Sequence, residues 1–84
     1  MTAFQVAGLN LWFNSHDHLP PHFHAEHAGE WEMRVFFMRS AREMLELKWA
    51  VKTPNSRVQK NLRSLAEAHR AELFSEWEKK VRER

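Results

Sequence analysis

Histidine is concentrated in one short stretch of the chain. Five of the six histidines fall between His16 and His27, in the run HDHLPPHFHAEH. Imidazole exchanges a proton near neutral pH and ligates divalent metal ions, so such a cluster can transfer protons or hold a metal. A structural role is the alternative, because histidines in turns often bond to backbone groups while Pro20 and Pro21 fix the path of the chain. The residues alone leave all three interpretations open.

A metal site would use histidines that share one face of a strand. Residues two apart in a strand point the same way, so His22 and His24 share a face and Phe23 points to the opposite one. We expect Phe23 to be buried and the two histidines to lie on the wetter face or at the sheet rim. Two histidines in this spacing can ligate zinc or another divalent ion, and His18 or Asp17 from the preceding loop would complete the site.

Acid–base catalysis is the second chemical interpretation of the cluster. A pair of histidines beside a cation can cleave RNA without a metal ion. The candidate catalytic residues are His18, His22 and His24. Arg34 or Arg70 would supply the cation.

Other side chains are candidates for binding or packing. Trp12 is expected to be exposed beside the histidines, which would make it part of a binding surface together with Arg34 and Arg70. His69 and Trp77 lie on an apolar helical stripe and are more typical of a packed core than of a ligand site. The residues expected to be structural are Pro20, Pro21, Phe23, His69 and Trp77.

Hydrophobic periodicity predicts the strands that would position the cluster. A period of two over Trp31, Met33, Val35 and Phe37 predicts one buried and one mostly wet strand face, and Leu45, Leu47, Trp49 and Val51 repeat the pattern. We expect the two apolar stripes to face the helical segment. Gly29 predicts the turn before the third strand. The predicted strands are residues 9–13, 22–27, 31–37 and 45–51.

The remainder of the chain predicts helix. Thr53 as the N-cap and Pro54 as the first helical residue would start it, and apolar residues then recur every three or four positions to Val81. One continuous helix would be about 45 Å long, whereas a domain of this size has a radius of gyration of about 12 Å. We therefore prefer a break between His69 and Glu72, with His69 capping one helix and Glu72 opening the next; a single overhanging helix is the alternative. The predicted class is α+β: a small antiparallel sheet of four strands (residues 4–51 with the His/Pro loop) and one long or two short C-terminal helices (residues 54–83) on one face.

Composition places the chain among small globular proteins. Its 84 residues suffice for a single domain, 1–84, and the formal net charge is only +2. That charge permits contact with nucleic acid without requiring it. There is no cysteine, so a metal site would depend on His, Asp or Glu. No apolar run is long enough for a membrane span, and the N-terminus does not resemble a signal peptide, so we expect a cytoplasmic protein without membrane contact.

Two motifs connect the sequence to a known family. The run DHLPPHFHAE, residues 17–26, resembles the D-H-x-P-P-H-F-H-A-E signature of small bacterial proteins that form domain-of-unknown-function family 4160. The run AHRAEL, residues 68–73, followed by Trp77, resembles the family's H-R-x-E-L and following Trp. The resemblance covers nearly the whole chain, although Ala28 and Gly29 stand where Gly-Gly is common.

The resemblance implies a partner more than an activity. Family members are often encoded beside another small uncharacterised protein, in an arrangement similar to toxin–antitoxin pairs, and this implies a partner protein and RNA- or ribosome-directed toxicity. The histidines that match the motifs are His18, His22, His24 and His69, whereas His16 and His27 fall outside them.

Our leading hypothesis from the sequence combines these observations. The protein is expected to be one component of a toxin–antitoxin-like gene pair that acts through protein or nucleic-acid contact at a surface centred on His18, His22 and His24. A small histidine-dependent hydrolase, ribonuclease-like and metal-dependent or metal-free, is the alternative. A purely structural interaction module is a further one. The expected partners are the small protein from the neighbouring gene, nucleic acid, or a second copy that pairs through an open strand edge.

Overall fold

The computed structural model describes residues 4–14 and 18–82 of the chain, without the side chain of the last of them. His16 and Asp17, which the sequence analysis considered, lie outside the described residues. The described chain forms four strands followed by two helices, which confirms the α+β prediction. The elements are β1 (Asn10–Trp12), β2 (Phe23–His27), β3 (Trp31–Val35), β4 (Leu45–Ala50), α1 (Ser56–Ala68) and α2 (Arg70–Arg82).

The strands form an antiparallel sheet in the order β1-β2-β3-β4, so each strand pairs with its neighbour in sequence. β2 and β3 meet at the predicted turn, where the Glu30 amide donates to the His27 carbonyl at 2.9 Å and Gly29 has φ +78°. Glycine fits this left-handed conformation without steric cost. The predicted first and third strands are longer than β1 and β3, because regular pairing stops at Trp12 and at Val35.

The core occupies the face of the sheet on which the helices lie. Phe23 is fully buried there, as its alternation with the histidines predicted. Apolar residues of β3 meet the helical stripe in the same cluster, as expected from the period of two. The fully or nearly fully buried residues of this cluster include Phe23, Ala25, Trp31, Met33, Val35, Phe37, Met44, Leu62, Ala66, Leu73 and Trp77.

The prediction that all of the β4 stripe faces the helices is wrong beyond Leu47. Met33 pairs with Leu47, but the adjacent Glu32 pairs with Trp49, so Lys48 is an extra residue in an irregularity of the ladder. Such a bulge shifts the alternation of side chains by one position. Trp49 therefore shares the face of Glu32, opposite to the core, and Val51 is 80% exposed.

The first helix begins later than the sequence analysis predicted. Asn55 is the N-cap, with its side-chain oxygen accepting from the Val58 amide at 2.8 Å, and α1 starts at Ser56. The prediction of Thr53 as the cap and Pro54 as the first helical residue is wrong. Asparagine is at least as good an N-cap as threonine, and Pro54 is instead buried just before the helix.

The helical segment breaks at His69, as preferred from the sequence. The His69 amide donates to the Leu65 carbonyl at 3.1 Å and ends α1, whereas its carbonyl accepts from the Leu73 amide at 2.8 Å in α2. Glu72 lies in the first turn of α2. The break lets both helices lie over the sheet, within principal extents of 34 × 23 × 21 Å. In the described part of the chain, neither helix is long and apolar enough to cross a membrane.

Candidate functional site

The candidate site lies on the side of the sheet that faces away from the helices, which we call the outer face. The strand register places Trp12, His24, Arg34 and Glu46 side by side in one row across all four strands. Directly opposed residues in adjacent strands share a face. The sequence-predicted residues Trp12, His24 and Arg34, which lie far apart in sequence, are therefore neighbours.

His22 and His24 are buried, not on a wet face or rim as predicted. Only 6% of His22 and 5% of His24 is exposed. The Trp12 ring stacks on His24 with centroids 5.2 Å apart and planes at 16°. His22 meets His24 edge-on at 5.1 Å and contacts the ring of Phe36 at 5.0 Å. The predicted alternation is correct, but this face is covered as well, by the ring of Trp12 on β1 and by the ring of Phe36 just after β3.

The prolines fix the orientation of the His22 ring. Its Nδ1 lies 2.9 Å from the Pro20 carbonyl oxygen, and the Leu19–Pro20 peptide bond is cis. Because a carbonyl oxygen only accepts, Nδ1 must carry the proton. In the neutral ring, Nε2 is then the basic nitrogen.

Each cation within the sheet on the outer face has a carboxylate partner. Glu32, itself buried, places Oε2 at 3.2 Å from Lys48 Nζ and at 3.7 Å from His24 Nδ1. Arg34 pairs with Glu46 on β4. These pairs cancel much of the positive charge that a polyanion would need at this surface.

A shallow cavity of about 280 Å³ opens on the outer face beside His22. Exposed His18 lines it together with Arg34 and Glu46, so two of the three signature histidines and one predicted cation meet there. Its complete lining is His18, Leu19, Pro20, His22, Arg34, Phe36 and Glu46. The cavity is the place where a ligand group could reach His22.

Within residues 4–14 and 18–82, no three His, Asp or Glu side chains are grouped so that they could hold one metal ion. His24, unlike His18 and His22, does not line the cavity. The metal site of His18, His22 and His24 stays a prediction, which metal analysis of the untagged protein would test.

The remaining sequence-predicted residues lie at the helices. Arg70 donates from Nε to the Phe37 carbonyl at 2.9 Å and from Nη2 to the Arg39 carbonyl at 2.8 Å. His69 Nδ1 is 3.2 Å from Glu72 Oε1, and Trp77 belongs to the core. Arg70 thus supports the loop between β3 and β4 and is not among the residues that line the histidine cavity.

Sequence reasoning missed several residues of the outer face. The period of two over residues 31–37 predicts that Phe36 lies on the mostly wet face, yet Phe36 is only 6% exposed and covers His22. Glu32, Glu46 and Lys48 were read only as the polar half of an alternation. Recognising their pairing with His24 and Arg34 requires the strand register, for which the sequence offered no signal beyond the alternation itself.

Comparison with known proteins relates the chain to one family. The family model described as "Domain of unknown function (DUF4160)" matches residues 8–78, which include β1 to β4, α1 and most of α2. No curated protein and no solved structure matches the chain significantly.

Proposed function

The chain belongs to the DUF4160 family, and we propose that it works as one component of a toxin–antitoxin-like gene pair by binding its partner protein through the outer face. The observation that carries this proposal is a sheet face that the helices do not cover, with exposed apolar side chains at the cavity and on β4. Leu19 at the cavity rim is 75% exposed and Trp49 on β4 is 38% exposed. Exposed apolar residues around a polar pocket are typical of protein interfaces.

The charges of the outer face favour a protein over a nucleic acid as its partner. A phosphate backbone binds cations that are free to replace its counterions. Here Arg34 is already paired with Glu46, and Lys48 with Glu32. A partner that packs against Trp49 and Leu19 on this face would bury apolar surface without breaking these pairs, and aromatic residues are frequent anchors of such contacts.

Co-purification with the neighbouring gene's product tests the proposal. Trp49→Ser should weaken binding about tenfold or more, as expected when an aromatic anchor is truncated. Leu47→Ser is the matched control, because Leu47 is similarly exposed on the same strand but points to the opposite face. Growth arrest on expression of one gene, relieved by the other, would support the toxin–antitoxin relation. Equal retention of the partner by both variants would contradict the outer face as its binding site.

A ribonuclease-like activity is the second candidate, and the meeting of His18, His22 and Arg34 at one cavity favours it. In this reaction His22 would accept the proton of an attacking 2′-hydroxyl. His18, which lines the same cavity, would protonate the leaving 5′-oxygen. Arg34 would exchange its Glu46 partner for the phosphate and stabilise the charge there.

This activity would give 2′,3′-cyclic phosphate ends in the presence of EDTA. His18→Ala should abolish cleavage without unfolding the protein, because His18 is exposed. His27→Ala is the control, since His27 does not line the cavity. Cleavage that persists in His18→Ala would rule out this assignment of the proton donor.

A further inference from the structure

Four arginines lie on or against the loop between β3 and β4, and the two that belong to the helices hold the loop in place. Arg63 on α1 donates from Nε to the Ala41 carbonyl at 3.1 Å. Arg70, at the start of α2, donates to the carbonyls of Phe37 and Arg39. Arg39 and Arg42 lie on the loop itself and are exposed. We call this group the arginine loop: residues 36–44 together with Arg63 and Arg70.

The charges of the arginine loop differ from those of the outer face. In the described residues, no carboxylate lies at ion-pair distance from any of its four guanidinium groups, whereas Arg34 and Lys48 are both paired. Three acidic residues lie near these arginines in sequence: Glu43 on the loop, Glu67 on α1 and Glu72 in the first turn of α2. The four guanidinium groups therefore exceed these three carboxylates by one positive charge.

The loop also presents contacts suited to an unstacked base. The guanidinium carbon of Arg39 lies 4.2 Å above the centre of the Phe36 ring. Bases of single-stranded RNA stack on aromatic rings and on arginine planes. Met38, which precedes Arg39 in the sequence, is 50% exposed and adds apolar surface to the loop. A guanidinium held by an aromatic ring loses less freedom when a base stacks on it.

We propose that the arginine loop binds single-stranded RNA. Arg39 and Arg42 contact phosphates, for which the planar guanidinium is well suited, and a base stacks at Arg39. Arg63 and Arg70 act as positioning residues that hold the loop carbonyls. An acidic peptide could satisfy the charge, but the arginine–phenylalanine pair beside an exposed methionine favours a nucleic acid. This site adjoins the outer-face cavity at Phe36, which lines that cavity, but its four arginines are not among the residues that line it. The proposal does not depend on the partner contact proposed for the outer face.

The test measures binding of a fluorescein-labelled 2′-O-methyl oligouridylate of about 12 nucleotides, a length within the site sizes of single-strand binders. The methyl group blocks cleavage through the 2′-oxygen, so the result does not depend on any ribonuclease activity. Arg39→Gln/Arg42→Gln should raise the Kd about tenfold or more. The logarithm of the association constant falls as the logarithm of the salt concentration rises. The double variant should make this fall less steep by about 1.4, which is about 0.7 for each lost phosphate contact.

The matched control is Arg57→Gln/Lys60→Gln, which removes the same charge from exposed positions of α1 outside the loop. It should leave the Kd and the salt slope close to those of the unaltered protein. Equal weakening in both double variants would overturn the proposal, because binding would then follow net charge only. Absence of binding by the unaltered protein would overturn it as well. Polyglutamate that competes as well as unlabelled oligouridylate would identify the loop as a site for acidic proteins instead.

Discussion

At the scale of single residues, His24 shows how a side chain that could do chemistry can also hold a surface together. It lies beneath the Trp12 ring, contacts His22 edge-on, and has the buried Glu32 carboxylate 3.7 Å from Nδ1. Removing a buried ring costs free energy because its neighbours lose their packing contacts and a cavity is left. Replacing His24 therefore affects folding as well as any activity of the outer face.

We predict that His24→Ala lowers the free energy of unfolding by about 1–3 kcal/mol, because removing a buried ring leaves a cavity between Trp12 and His22. His27→Ala is the matched control on the same strand, since its side chain is 42% exposed. That control should change stability by about 0.5 kcal/mol or less. Urea denaturation followed by tryptophan fluorescence measures both. Equal stability of the two variants would mean that the stacked arrangement of His24 contributes nothing to folding.

At the scale of elements, the start of α1 depends on which of two neighbouring polar residues satisfies the free helix amides. Asn55 bonds to the Val58 amide, whereas Thr53 is exposed two residues earlier. The Gln59 side chain also donates to the Pro54 carbonyl at 2.9 Å, which fixes the chain entering the helix. In β4, a local irregularity also determines which face a side chain occupies, because the bulge at Lys48 turns Trp49 to the outer face.

We predict that Asn55→Ala costs about 1 kcal/mol of stability, the typical loss for an N-cap. Thr53→Ala should leave stability within about 0.5 kcal/mol of the unaltered protein, as expected at an exposed position without a cap. Thermal or urea unfolding of the two variants decides between the caps. A larger loss for Thr53→Ala would support the helix start that the sequence pattern first predicted.

At the scale of the whole molecule, the sheet is covered unequally. The helices pack on the face of Phe23 and Val35, and aromatic side chains cover part of the outer face above β2. β4 lies at the end of the strand order, and all of its residues after Leu45 are exposed. Segments with few buried contacts open locally at lower free energy than the core. The exposed strand is also where a partner could approach the sheet.

We predict that hydrogen exchange is slowest for the amides of β2 and β3 that pair across the sheet centre, such as Ala25 and Met33. The outward amides of β4 should exchange faster by at least about tenfold, because their opening requires no loss of core packing. Exchange followed by NMR gives the residue-level rates. Protection of β4 that rises with protein concentration would indicate self-association through this edge.

The sequence by itself determined the order of the elements, the α+β class, the face of Phe23 and the helix break at His69, because each depends on local periodicity or on chain length against molecular size. The motifs also sufficed to recognise the family. Tertiary structure alone decided that His22 and His24 are buried, since the rings that shield them belong to Trp12 on β1 and to Phe36 just after β3. It likewise decided the face of Trp49 and the charge partners of Arg34 and Lys48, which depend on strand register and on one bulge. Periodicity reports which residues alternate, but contacts between strands determine what each face meets.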